Sequence, residues 1–135
     1  MHQVLRAELE RELSQATGLS LADYEVLVNL SEADGQRLRM SELADALQWS
    51  RSRLSHQVAR MQDRGLLSRE ECPTDARGAF AALTAGGLAA IQEAAPGHLA
   101  GVRRHLFDRL SPEQVRSLIE LSEAVLRPAA GAALS

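Results

Sequence analysis

The stretch Met40 to Arg64, MSELADALQWSRSRLSHQVARMQDR, decides how the rest of the chain is read. Leu43, Ala44 and Leu47 recur at helical spacing and form the apolar stripe of a first short helix. Ser41 stands where its hydroxyl can accept from an orphan N–H of that helix's first turn. Gln48 and Trp49 break the period, with Trp49 read as a packing anchor at the turn, and Ser50 is placed to cap a second helix. In the second helix Leu54, Val58 and Met61 follow at i, i+4 and i+7. Ser52, His56, Ala59, Arg60 and Asp63 point away from that stripe, and Arg51, Arg53, Ser55 and Gln57 flank it. Two short helices around a tight turn, the second exposing Arg, Ser, His and Gln, make a helix-turn-helix, and the major groove of B-DNA admits such a helix. The competing reading of this stretch alone is an amphipathic helix pair with a solvated face.

Charge supports the first reading once it is divided along the chain. The net charge is −3, the wrong sign for a nucleic-acid binder. Residues 1–35 hold two Arg against seven acids, a net of −5, whereas residues 36–64 hold six Arg against three acids, a net of +3. Positive charge therefore gathers on the helix pair, and local charge sets a binding footprint. All 15 basic residues are Arg, as a GC-rich genome would give, so Arg abundance alone says little about phosphate.

Upstream, residues 1–16 read as a helix with Leu5, Leu9, Leu13 and Ala16 on one narrow stripe that needs a partner surface. Thr17-Gly18 ends it, and Ser20 with Asp23 opens a second helix with a near capping box. Its stripe of Leu21, Tyr24, Leu27, Val28 and Ser31 is widened by Val26 and Leu30, which predicts burial on more than one side. Arg37 to Met40 alternates over the length of a short strand.

Downstream, Gly65 supplies a left-handed cap and the period changes. Leu66 to Cys72 and Ala79 to Leu83 read as two strands joined by the turn Pro73-Thr74-Asp75-Ala76-Arg77-Gly78, a hairpin directly after the second helix. Thr84 caps a long helix to about Phe107, expected to kink or break at Pro96-Gly97. Ser111-Pro112-Glu113-Gln114 starts a last helix with the stripe Val115, Leu118, Ile119, Ser122, Val125 and Leu126. Pro128 stops it, leaving 128–135 as a frayed tail.

The 135 residues are expected to form one domain, mostly α with a small β-hairpin wing. Residues 36–83 would read DNA, and 1–35 with 84–127 would form a dimerisation lobe. No apolar run reaches the ~18 residues of a membrane span, and no signal-peptide pattern opens the chain. The single Cys72 excludes an internal disulfide and fits a reducing cytoplasm, and it is read as a structural thiol. His98 and His105 lie about 10.5 Å apart along a helix, too far to share a metal ion. No nucleophile elbow, zinc-protease helix or phosphate loop is present, so no catalysis is expected.

The order of elements, the wing's Asp75-Ala76-Arg77-Gly78, the Leu83-Thr84-Ala85-Gly86-Gly87 that follows, and the segment Leu43 to Arg69 resemble the MarR family of bacterial transcriptional regulators. That resemblance implies a winged helix-turn-helix acting as a homodimer on double-stranded DNA with a pseudo-palindromic operator. It implies a repressor released by a small aromatic or phenolic effector, with Arg77 in the minor groove steadied by Asp75. Ser50, Arg51, Ser52, Arg53, Ser55, His56, Gln57 and Arg60 are the candidate base and phosphate contacts. An effector is expected against Tyr24, Leu27 and Val28, with Arg103 or Arg104 pairing its carboxylate. A winged-helix dimerisation or protein-interaction module without its own DNA site is the alternative.

Overall fold

The computed structural model describes residues 2–71 and 78–126. Cys72, the wing turn from Pro73 to Arg77, and the stop and tail read at 128–135 lie outside them. Along the chain run α1 (His2–Thr17), α2 (Leu21–Glu32), β1 (Arg37–Arg39), α3 (Met40–Leu47), α4 (Arg51–Asp63), β2 (Leu67–Glu70), β3 (Phe80–Leu83), α5 (Ala85–His105) and α6 (Pro112–Leu126).

The helix-turn-helix core forms as its apolar stripes require. Leu43 from α3 and Leu54, Val58 and Met61 from α4 are fully buried against Val26, Leu27 and Leu30 of α2. α2 is thus the central helix, buried on more than one side as its widened stripe predicts. It opens with a complete capping box, in which Asp23 N–H donates to Ser20 Oγ at 3.0 Å and Ser20 N–H donates to Asp23 Oδ2 at 2.9 Å.

Ser41 does not cap α3, because the helix begins one residue before it. β1 feeds directly into the helix: Met40 N–H donates to the Ala79 carbonyl, and Glu42 accepts from the Arg39 N–H at 3.0 Å. Ser50 does cap α4, accepting from the Arg53 N–H at 3.1 Å. The far end of α4 closes in a Schellman motif, with Leu66 N–H on the Met61 carbonyl, Gly65 N–H on the Gln62 carbonyl and Gly65 at φ +75°.

The two strands after α4 pair as expected, Leu67 opposite Leu83 and Glu70 opposite Phe80. β1 joins them on the other side of β3, giving the antiparallel order β1-β3-β2. Ala81 and Ala82, poor strand formers, become the centre of the sheet because both neighbours pair with them and Ala81 packs into the core.

α5 runs through Pro96 as one helix, so no break occurs there, and it ends at His105 before a 3₁₀ turn at Phe107–Arg109. The Thr84 hydroxyl caps α5 through the Gly87 N–H at 2.9 Å and donates to the Gly65 carbonyl at 2.7 Å. That second bond ties the end of α4 to the start of α5. Gly87 is needed there because a Cβ would collide with the Leu66 carbonyl oxygen. α1 lies along α5, burying Leu13 and half-burying Leu5 and Leu9, while Ala16 is exposed. α6 opens on the Ser111–Gln114 capping box. None of its residues up to Val125 is buried, and Ile119, Leu121 and Val125 are 49%, 65% and 72% exposed.

Candidate nucleic-acid interface

α4 has one wall in the core and one in solvent. Leu54, Val58 and Met61 hold the inner wall, and Arg51, Ser52, Arg53, His56 and Arg60 are exposed on the outer one. Ser55 is half-buried on the flank, and Ser50 is exposed at the N-terminus, where its hydroxyl serves as the cap. Arg51, Arg53 and Arg60 form no ion pair among the described residues. Their charge is available to an external anion, and guanidinium groups suit both phosphate oxygens and the guanine edge. The other Arg residues of the basic segment are engaged within the fold. Arg37 pairs with Glu70 at 3.6 Å and lies over the Phe80 ring, Arg39 lies over the same ring, and Arg64 pairs with Asp23 at 2.7 Å.

Two further contacts shape the outer wall. The Arg53 guanidinium sits over the Trp49 ring, 4.1 Å from its centroid, so Trp49 is both a packing residue and a platform. Arg60 NH2 donates to Gln57 Oε1 at 2.8 Å. Gln57 itself is not on the flank of α4: it is 5% exposed and its amide donates to Asp23 Oδ1 at 2.5 Å, which removes it from the candidate base contacts. Its spacing carried that information, three residues after Leu54 and four before Met61, and so on the buried stripe.

Asp23 and Arg64 are site-shaping residues that the sequence reading missed, Asp23 being taken only as a cap. The signal was again spacing, because Asp23 precedes Leu27 and Leu30 at i+4 and i+7. Burial alone would raise its carboxyl, but the Ser20 N–H and the Arg64 guanidinium hold it below the usual carboxylate range. Asp75 and Arg77 lie outside the described residues, and the wing is described up to Glu71 and again from Gly78.

The residues expected to line an effector pocket are packed into the fold. Leu27 has no exposed surface, Val28 is half-buried against the core, and Tyr24 is buried with its ring 4.4 Å from that of His98. α2 is central to the fold and its apolar face is buried, and none of the three lines the cavity between α1 and α5. That cavity, of about 660 Å³, is lined by Leu9, Glu12, Leu13, Ala94, His98 and Arg104 among others. Arg104 is thus in place, though its guanidinium is paired with Glu12 at 2.8 Å. Arg103 does not line this cavity; it is exposed and faces Asp108 at 4.0 Å. His105 meets the other Glu12 oxygen at 2.6 Å, and this contact with His105, followed by that with Arg104, lowers the Glu12 carboxyl. Among the described residues no three metal-ligating side chains come together, and no helix is long and apolar enough to cross a membrane.

A sequence profile of the MarR family matches residues 17–78. The chain is 47% identical to AbsC, a MarR family transcriptional regulator from Streptomyces coelicolor, over 96% of this chain and 84% of that one, with a TM-score of 0.82. It is 44% identical to Sco3205, a MarR family regulator from the same organism whose structure is in complex with DNA, over 94% and 79% of the two chains, with a TM-score of 0.85. A mutant MarR from E. coli complexed with operator DNA is 25% identical over 93% and 87% of the two chains, with a TM-score of 0.80. No curated protein is similar to the chain. With identity this high over nearly its whole length, and with the winged helix-turn-helix geometry above, the chain belongs to the MarR family of DNA-binding transcriptional regulators.

Proposed function

We propose that the protein is a homodimeric repressor of a pseudo-palindromic operator, released from it by a small aromatic or phenolic acid. The observation that carries the DNA reading is the outer wall of α4, where Arg51, Arg53 and Arg60 stand exposed beside Ser52 and His56 and form no ion pair among the described residues. In this reading Ser50 and Ser55 add phosphate contacts at the edge of the helix, and Arg77, steadied by Asp75, enters the adjacent minor groove. The likeness to Sco3205, seen in complex with DNA, supports the same docking.

The open apolar face of α6 supports a dimer built from the terminal helices. Ile119 and Val125 are large, exposed members of the apolar stripe of α6, and a second copy would cover them. Residues 1–35 and 84–127 would then form the dimer lobe, with 36–83 the reading unit. A two-fold dimer sets its recognition helices about 34–36 Å apart, one turn of B-DNA. The effector would occupy the cavity between α1 and α5, competing with Glu12 for Arg104. A change in helix spacing would then cost affinity without touching a base.

The test is a gel shift with the DNA upstream of the protein's own gene, paired with sedimentation at micromolar concentration. A retarded complex on an inverted repeat and a two-chain species are expected. A stable monomer, or tight binding to a site lacking any inverted repeat, contradicts the proposal. Binding to a protein partner with no affinity for any duplex would favour an interaction module instead.

A further inference from the structure

Among the described residues, one buried carboxylate touches α4, the recognition helix, from behind. Asp23 is 5% exposed, yet it belongs to α2 and lies on the inner side of α4. Its Oδ2 accepts from the Ser20 N–H and from Arg64 NH1, and its Oδ1 accepts from the Gln57 amide. Arg64 NH2 in turn donates to the Gly18 carbonyl at 3.1 Å.

We infer that Asp23 is a positioning residue for DNA recognition, acting through Gln57 to set the Arg60 guanidinium. An ionised carboxylate has no proton to donate, so only the NH₂ end of the Gln57 amide can face it. The Gln57 oxygen is thereby turned toward Arg60, whose NH2 donates to it at 2.8 Å. The reverse amide would set its oxygen against the carboxylate and its NH₂ against the guanidinium, losing both bonds. The hydrogen bonds that keep Asp23 ionised therefore also determine which end of Gln57 reaches Arg60.

Arg60 is exposed on the outer wall of α4, and an Arg held in place loses less conformational freedom on meeting a phosphate. Asp23 thus joins the first turn of α2 to the DNA-facing surface of α4 without approaching DNA itself. The inference rests on the reading of the outer wall of α4 as the DNA-contacting face.

The test is a double-mutant cycle on DNA affinity with Gln57→Met, Arg60→Ala and the pair, using a duplex from upstream of the protein's own gene and, at low salt, one of unrelated sequence. Thermal melting of every variant reports separately on the fold. Gln57→Met should weaken binding by roughly 3- to 10-fold when Arg60 is present and by nothing once Arg60 is Ala. Asp23→Asn should repeat that pattern, and if it fails to fold the Gln57→Met cycle still decides. Equal losses from Gln57→Met in both backgrounds mean that Gln57 acts only through the fold and overturn the inference. No loss from Arg60→Ala while Arg53→Ala still weakens binding also overturns it, yet leaves the DNA-contacting face intact. No loss from either Arg variant removes the reading of that face as well.

Discussion

The Arg53 guanidinium rests over the Trp49 ring, 4.1 Å from its centroid, so the turn of the helix-turn-helix holds a cation of the recognition helix. Trp49 is also packed against the core, which makes the platform rigid. A guanidinium on an exposed ring gains about 0.5–1 kcal/mol. Trp49→Leu should therefore cost about 2- to 5-fold in DNA affinity, and Trp49→Phe less. Binding curves for both variants check this, and wild-type affinity in Trp49→Leu would show that the contact does not prepare Arg53 for DNA.

The wing and the helix should fail differently. Arg77→Ala is expected to weaken binding to all duplexes alike and to lower the salt slope by about one, as loss of one backbone or groove charge does. Substituting Arg53 or His56 should change which bases are preferred. A panel of sites at several salt concentrations separates the two, and identical behaviour would contradict the division of labour.

Dimerisation can be tested on a residue that the single chain leaves open. Val125 is 72% exposed, so Val125→Glu places no charge inside the protomer. The variant should keep the melting profile of a folded protomer, sediment as a monomer and lose tight binding to an inverted repeat. A dimer that survives Val125→Glu would place the interface elsewhere.

Gly87→Ala should be severe despite alanine's better helix propensity. Propensity favours Ala by about 1 kcal/mol, whereas the added methyl meets the Leu66 backbone carbonyl, which has no rotamer to yield. We expect a net loss of at least about 2 kcal/mol, read from urea denaturation. A neutral result would mean that the junction between α4 and α5 relaxes without cost.

Stability should fall with acid in two stages. Burial lowers the His98 imidazole, so the unfolded chain takes up the proton first. Its contribution is complete above the ordinary histidine value of about 6.5 and is lost as pH falls through the window down to its lower folded value. Asp23, lowered by its hydrogen bonds, acts further down: its contribution is present above the ordinary carboxylate range and disappears as pH falls through the folded value. Melting between pH 8 and pH 5 should show the first stage, and His98→Gln should flatten it. An unchanged slope in His98→Gln would assign the first stage to another group.

Spacing and capping were enough to place the helix pair, its two strands and the restart at Ser111, because each rests on contacts within a few residues. The Ser20, Ser50, Thr84 and Ser111 caps all form, and Gly65 takes the left-handed conformation that its position demands. Family membership was legible from the same local motifs, since Gly87 and Thr84 make the contacts that the sequence pattern encodes. Tertiary structure alone decided what depends on residues far apart in sequence. β1 found its place on β3, 43 positions away at the pair Leu38 and Ala81, through backbone bonds that no side-chain pattern advertises. The cavity lies between α1 and α5, and not against Tyr24, whose ring packs instead 4.4 Å from that of His98 on α5. Gln57 was legible in part: its spacing put it on the buried stripe, but only the fold supplied the carboxylate, 34 positions earlier, that satisfies its amide there.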